Sequence, residues 1–143
     1  MYLEFFGLTK PPFRITPDTQ VFFEGSERGA TLQALCYSIA TGEGITKVVG
    51  EVGTGKTMLC RMLPGTLQRG VTWVYLAHPR LSPEQMLQEI AREMRLPAST
   101  QTDKLTVMRQ LQRELLRRYA NNERVVVLVE EAQEMPLETL EEL

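Results

Sequence analysis

The residue types that could do chemistry fall in two short stretches. The first is GEVGTGKT, Gly50 to Thr57, which fits the pattern G-x-x-x-x-G-K-[ST]. Glycine at 53 and 55 lets the backbone turn without Cβ clashes, so that successive N–H groups converge on an anion. A helix starting at Gly55 would add the unpaired donors and positive dipole end of its first turn. Lys56 then supplies a point charge for the outer phosphates, and Thr57 a hydroxyl for a divalent cation. The second stretch is VVVLVEEAQ, residues 125–133, in which five apolar residues run directly into Glu130 and Glu131. Paired acids at a strand end read either as a solvated turn or as a metal-and-water site. The phosphate loop about seventy residues earlier favours the second reading.

Both stretches need elements to hold them. A strand is expected at ITKVVG, residues 45–50, buried and leading into the loop, with a helix beginning at Gly55. Pro64-Gly65 removes a backbone donor and is expected to break or kink that helix after about Leu63. VTWVYLA, residues 71–77, reads as a second buried strand. Ser82, Pro83 and Gln85 then form a capping-box signature for a helix whose apolar stripe is Met86, Leu87, Ile90 and Met94. A polar loop, PASTQT, precedes a helix from about Asp103 to Tyr119, with Leu105, Met108, Leu111, Leu115 and Tyr119 spaced by three and four. Upstream, residues 26–41 form a helical pattern on Leu32, Leu35, Cys36 and Ile39, with Ser26 as N-cap and Gly42 and Gly44 ending it. Residues 1–25 are irregular, interrupted by Pro11, Pro12 and Pro17 and dense in aromatics, and read as a segment packed over a domain edge. Strands apolar on both faces, alternating with helices, imply a parallel α/β sheet covered on both sides.

Composition narrows the partners. A chain of 143 residues is long enough for one domain with a sizeable core. Its net charge of −2 offers no general cationic field for nucleic acid or an anionic membrane. Arg113, Arg117, Arg118 and Arg124 are interleaved with Glu114 and Glu123 and read as a solvated face. Cys36 and Cys60 fit no metal-ligand spacing and read as reduced, small buried hydrophobes. The N-terminus lacks the basic start of a signal peptide, and the longest apolar stretch falls well short of the ~20 residues that span a bilayer. His78, after the second strand, reads as a polar loop residue, and EMPLETLEEL as the start of an acidic amphipathic helix.

The residues MYLEFFGL, PF, TPD and FF at the N-terminus, GEVGTGKTMLCR at the loop and EAQ after the later strand resemble the AAA+ ATPases of the general secretion pathway protein A and pilus-biogenesis type. The resemblance spans nearly the whole chain and implies a P-loop NTPase of the AAA+/ASCE class, a parallel sheet with helices on both faces. It implies that residues 1–25 pack near the nucleotide site and that 26–143 form the N-terminal part of the nucleotide-binding domain. By position, Gly50, Val52, Gly53, Thr54, Gly55, Lys56, Thr57 and Met58 would wrap the phosphates of ATP. Thr57 and Glu130 would hold Mg²⁺, Glu131 would be the catalytic glutamate assisted by Lys56, and adenine would lie around Phe22 to Ser26. It also implies a homo-oligomer that works with protein partners of a secretion or pilus machine, in the cytoplasm, with any inner-membrane attachment carried by sequence beyond Leu143. Nucleic acid is not an expected partner. A TniB-like transposition helper controlling a transposase on DNA is the alternative, and a nucleotide-holding switch without useful hydrolysis is a third.

Two departures qualify these expectations. The family usually has Asp-Glu where this chain has Glu130-Glu131, which adds a methylene to the metal-shell acid. The sequence also stops at Leu143, before the sensor strand, arginine finger and helical lid of such proteins. The sheet is therefore expected to lack its central strand, and ATP turnover by these residues alone to be weak.

Overall fold

Amphipathic helices and apolar strands must bury their apolar faces against one another, and here they do so in two compact units, Met1–Thr66 and Leu67–Leu143. The structure, a computed structural model, describes residues 2–12, 14–25, 27–67, 70–97 and 103–143. The expected N-cap Ser26 and most of the PASTQT loop lie outside the described residues. Among the described residues, no helix is long and apolar enough to cross a membrane.

The first unit contains α1 (Tyr2–Phe5), a 3-10 turn (Thr19–Val21), α2 (Arg28–Thr41) and α3 (Lys56–Thr66). Asp18 caps the 3-10 turn by accepting from the Gln20 N–H at 3.0 Å. In α2, Leu32 and Leu35 of the expected stripe are buried, while Cys36 and Ile39 are half-buried. Gly42 ends the helix in the left-handed region at φ 76, where its N–H reaches the carbonyls of Ser38 and Ile39. α3 packs against α2 and buries Leu59 and Leu63. Among the described residues neither cysteine forms a disulfide, and both are half-buried rather than buried.

Two further expectations fail in this unit. Pro64 does not end α3, which continues to Thr66. Pro64 stands in the last turn, where only two helical residues follow it, and Thr66 Oγ1 donates to the Met62 carbonyl at 3.0 Å to close that turn. Residues 45–50 form no strand and are exposed, Val49 to 78%. A strand satisfies its backbone groups only on a neighbour, and among the described residues the first unit contains no strand for this apolar run to join.

In the second unit, β1 (Val71–Leu76) and β2 (Arg124–Val129) pair in parallel, from Val71 opposite Arg124 to Leu76 opposite Val129. Between them in the chain lie α4 (Pro83–Glu93) and α5 (Lys104–Ala120). A 3-10 turn (Ala132–Glu134) and α6 (Leu137–Glu141) follow β2. Side-chain alternation sends Val74, Leu76, Val125, Val127 and Val129 to the face that meets Met86, Leu87, Ile90 and Ala91 of α4, with Val107 and Leu111 of α5. Val74, Ala91 and Val107 are wholly excluded from solvent. On the opposite face Trp73, Tyr75, Val126 and Leu128 are half-buried.

The helix ends follow the sequence. Ser82 accepts from the Gln85 N–H at 3.3 Å, and the Gln85 side chain accepts from the Ser82 N–H at 3.0 Å. Asp103 caps α5 through the Thr106 N–H at 3.0 Å. Part of the arginine-rich end of α5 is ion-paired, Glu114 accepting from Arg117 at 2.8 Å and from Arg118 at 2.7 Å. These bonds hold the Glu114 carboxyl down to about 2. Arg118 also donates to Thr72 Oγ1 and so ties α5 to β1.

Replacing Ser82 by Ala removes one half of the capping box and is expected to lower unfolding stability by about 1 kcal/mol. A urea titration should show an earlier midpoint at an unchanged slope. An unmoved midpoint would refute the cap's contribution.

Candidate functional site

The phosphate loop is held by its own backbone. Gly53 and Gly55 adopt φ +83 and +96, where a side chain would be strained. A Cβ at Gly50 would come within 2.8 Å of Thr54 Oγ1. That hydroxyl donates to the Glu51 carbonyl at 2.8 Å, and the Thr54 N–H reaches the same oxygen at 3.4 Å. Lys56 crosses the loop, its Nζ donating to the carbonyls of Gly50 at 2.7 Å and Glu51 at 2.8 Å. The first bond of the α3 ladder runs from the Leu59 N–H to the Gly55 carbonyl at 3.0 Å. The N–H groups of Lys56, Thr57 and Met58 therefore precede the ladder and are available at the positive end of the dipole. Thr57 and Met58 are half-buried in that first turn, whereas Val52 is fully exposed at the loop tip. A loop with two left-handed glycines, no room for a Cβ at position 50 and a lysine at the start of a helix suits a bound polyphosphate.

Within the N-terminal segment lies a cleft that the sequence did not reveal. Leu8, Lys10, Pro11, Pro17, Val21 and Met58 line part of a cleft of about 300 Å³. Lys10 pairs with Asp18 at 2.7 Å across this segment. The hydrogen bond from Lys10, with that from the Gln20 N–H, holds the Asp18 carboxyl below its usual range. The signal lay in TKPPFRITPD, whose prolines set rigid walls and whose Lys and Asp cross-link them. Arg28 was also missed. Its Nε lies 3.9 Å from where a Cβ of Gly55 would stand.

At the carboxylate stretch, the sheet itself does the positioning. The Glu130 N–H donates to the Leu76 carbonyl at 3.3 Å and extends the ladder by one bond past β2. Glu130 Oε1 is buried and has no hydrogen-bond partner among the described residues. An orphaned carboxylate oxygen is costly unless a cation or donor completes it, so Glu130 suits a metal shell in spite of its extra methylene. Glu131 is exposed, with φ 51 and ψ 41, in the left-handed region. Gln133 donates through Nε2 to Glu131 Oε2. Downstream contacts secure this turn. Arg80 pairs with Glu134 at 2.9 Å, Met135 enters the core, and Thr139 Oγ1 donates to the Leu81 carbonyl at 2.6 Å. His78 stands exposed in the loop after β1.

These features define a class, and comparison with known proteins agrees with it. The AAA domain model matches residues 39–143, well over half of the chain. The chain belongs to the AAA domain family, the P-loop nucleoside triphosphatases, and is an α/β member of it. Over all 143 residues it is 35% identical to General secretion pathway protein A of Aeromonas hydrophila, and it spans 26% of that protein's length. No solved structure matches the chain.

A non-glycine residue in the left-handed region costs about 1 kcal/mol. Glu131→Gly is accordingly expected to raise the stability of the fold by about that amount or somewhat less, read from a urea midpoint. A loss of stability would mean that Glu131 makes contacts which outweigh its backbone strain.

Proposed function

We propose that the chain is a Mg-ATP-binding AAA+ module whose hydrolysis of ATP assists the assembly of a bacterial secretion or type IV pilus complex. One observation carries the reading. The glycine-turned loop at residues 50–55 delivers unpaired N–H groups, Lys56 and Thr57 to one helix N-terminus, in a chain matching General secretion pathway protein A throughout its 143 residues.

In this reading Gly50, Val52, Gly53, Thr54, Gly55 and Met58 give backbone to the phosphates, and Lys56 leaves the carbonyls of Gly50 and Glu51 for a phosphate oxygen. Thr57 and Glu130 are the residues that would hold Mg²⁺, which supplies positive charge to the phosphate oxygens when bound. Glu131 takes a proton from the attacking water, with Gln133 orienting its carboxylate through Oε2. The segment 1–25 contributes the nucleoside end, its cleft between the prolines and Met58 giving the base an apolar bed. Residues 26–143 form the remainder of the nucleotide-binding module. Homo-oligomerisation, a cytoplasmic site of action and partners within the assembling machine complete the proposal.

Lys56→Ala should weaken ATP binding by about tenfold or more in a direct titration. An unchanged titration would remove the phosphate-loop assignment. Glu131→Gln, measured in the complete protein, should cut steady-state hydrolysis by about a hundredfold while ATP binding stays close to the parent value. Undiminished turnover would mean that another group is the base.

A further inference from the structure

We infer that Arg28 is a phosphate-contacting residue of the nucleotide site, its guanidinium reaching the bound polyphosphate from the side of α2. The inference rests on the phosphate-loop reading and adds to it a residue that lies outside the loop motif.

Three observations carry it. First, Arg28 opens α2 with a cation at the positive end of the helix dipole, where acids are favoured. No acidic residue occupies the first turn of α2, and Glu27 at the N-cap makes no side-chain cap bond. Second, the Arg28 Nε lies 3.9 Å from the Cβ position of Gly55, the residue immediately before α3. α3 also opens on a cation, Lys56, with no acid in its first turn. The Arg28 guanidinium thus lies beside the start of a second helix that itself opens on a basic residue. Third, Lys56 offsets its charge on the carbonyl dipoles of Gly50 and Glu51, but Arg28 makes no hydrogen bond or ion pair among the described residues.

Arg28 is exposed, and an anion bound at the start of α3 would be attracted to the guanidinium beside it. The anion that the rest of the site accepts is a polyphosphate, through the N–H groups of Lys56, Thr57 and Met58. A guanidinium suits it because its planar fork of donors can engage two non-bridging oxygens at once, which an ammonium cannot do in the same geometry. Lys56 serves the phosphates from within the loop, and Arg28 serves them from the adjoining helix.

The test compares Arg28→Ala, Arg28→Lys and Lys56→Ala with the parent chain, titrating ATP and, in competition with a fluorescent ATP analogue, inorganic tripolyphosphate. Arg28→Ala should weaken both probes by about tenfold, with Arg28→Lys recovering part of the loss. The nucleotide-free melting temperature of Arg28→Ala should not fall below the parent value, whereas a merely structural role would lower it without rescue by lysine. If Arg28→Ala binds both probes within about twofold of the parent while Lys56→Ala loses them, Arg28 is only a solvated side chain and the phosphate loop stands. If Lys56→Ala also binds normally, the phosphate-loop reading fails and the Arg28 assignment fails with it.

Discussion

A left-handed backbone at three positions is the constraint on which the chemistry of this chain depends. Gly53 and Gly55 turn the phosphate loop so that donors point inward, and Glu131 turns the chain away from β2 so that a carboxylate stands at the end of the sheet. At the glycines the conformation is sterically cheap. At Glu131 it is strained, and the surrounding structure must hold it. The ladder bond from Glu130 to Leu76 fixes the residue before the turn, and Met135 in the core fixes the residues after it. Strain at the carboxylate is thus sustained by packing several residues away.

That packing has a simple origin. Parallel pairing sets Val74 beside Val127 and Leu76 beside Val129, so one face of the β1–β2 pair presents a continuous apolar surface. α4 and α5 cover it with Met86, Ile90, Ala91, Val107 and Leu111. Both helices start from side-chain caps, at Ser82 and Asp103, which satisfy N–H groups that would otherwise be orphaned. Fixing where each helix begins also fixes which of its faces meets the sheet. The site acids inherit their position from this arrangement.

Local chemistry was legible in the sequence, and partner-dependent structure was not. The capping box at Ser82, the left-handed stop at Gly42 and the glycines of the phosphate loop all act within a few residues, so their types and spacing suffice. The run ITKVVG has strand composition, but composition supplies no neighbour, and these residues stay unpaired and exposed. Pro64 was read through its missing donor, although its position in the final turn of α3 left little helix for it to disturb. The turn at Glu131 was hidden for a different reason. Nothing in the letters EEAQ asks for a positive φ, which arises from the way the chain must pass from β2 into the core. Arg28 escaped notice because its interest comes from lying beside Gly55, twenty-seven positions along the chain.

The bonds from Lys56 Nζ to the carbonyls of Gly50 and Glu51 make its encounter with a phosphate an exchange reaction. In the proposed function a phosphate oxygen would have to displace two carbonyl acceptors, so the lysine would contribute the difference between two sets of charge-assisted hydrogen bonds. The same two bonds hold the loop closed around its own lysine before any ligand arrives, which reduces the conformational freedom that binding must remove. Under that proposal, affinity at this loop would depend as much on how readily two carbonyls release an ammonium group as on how strongly that group attracts phosphate.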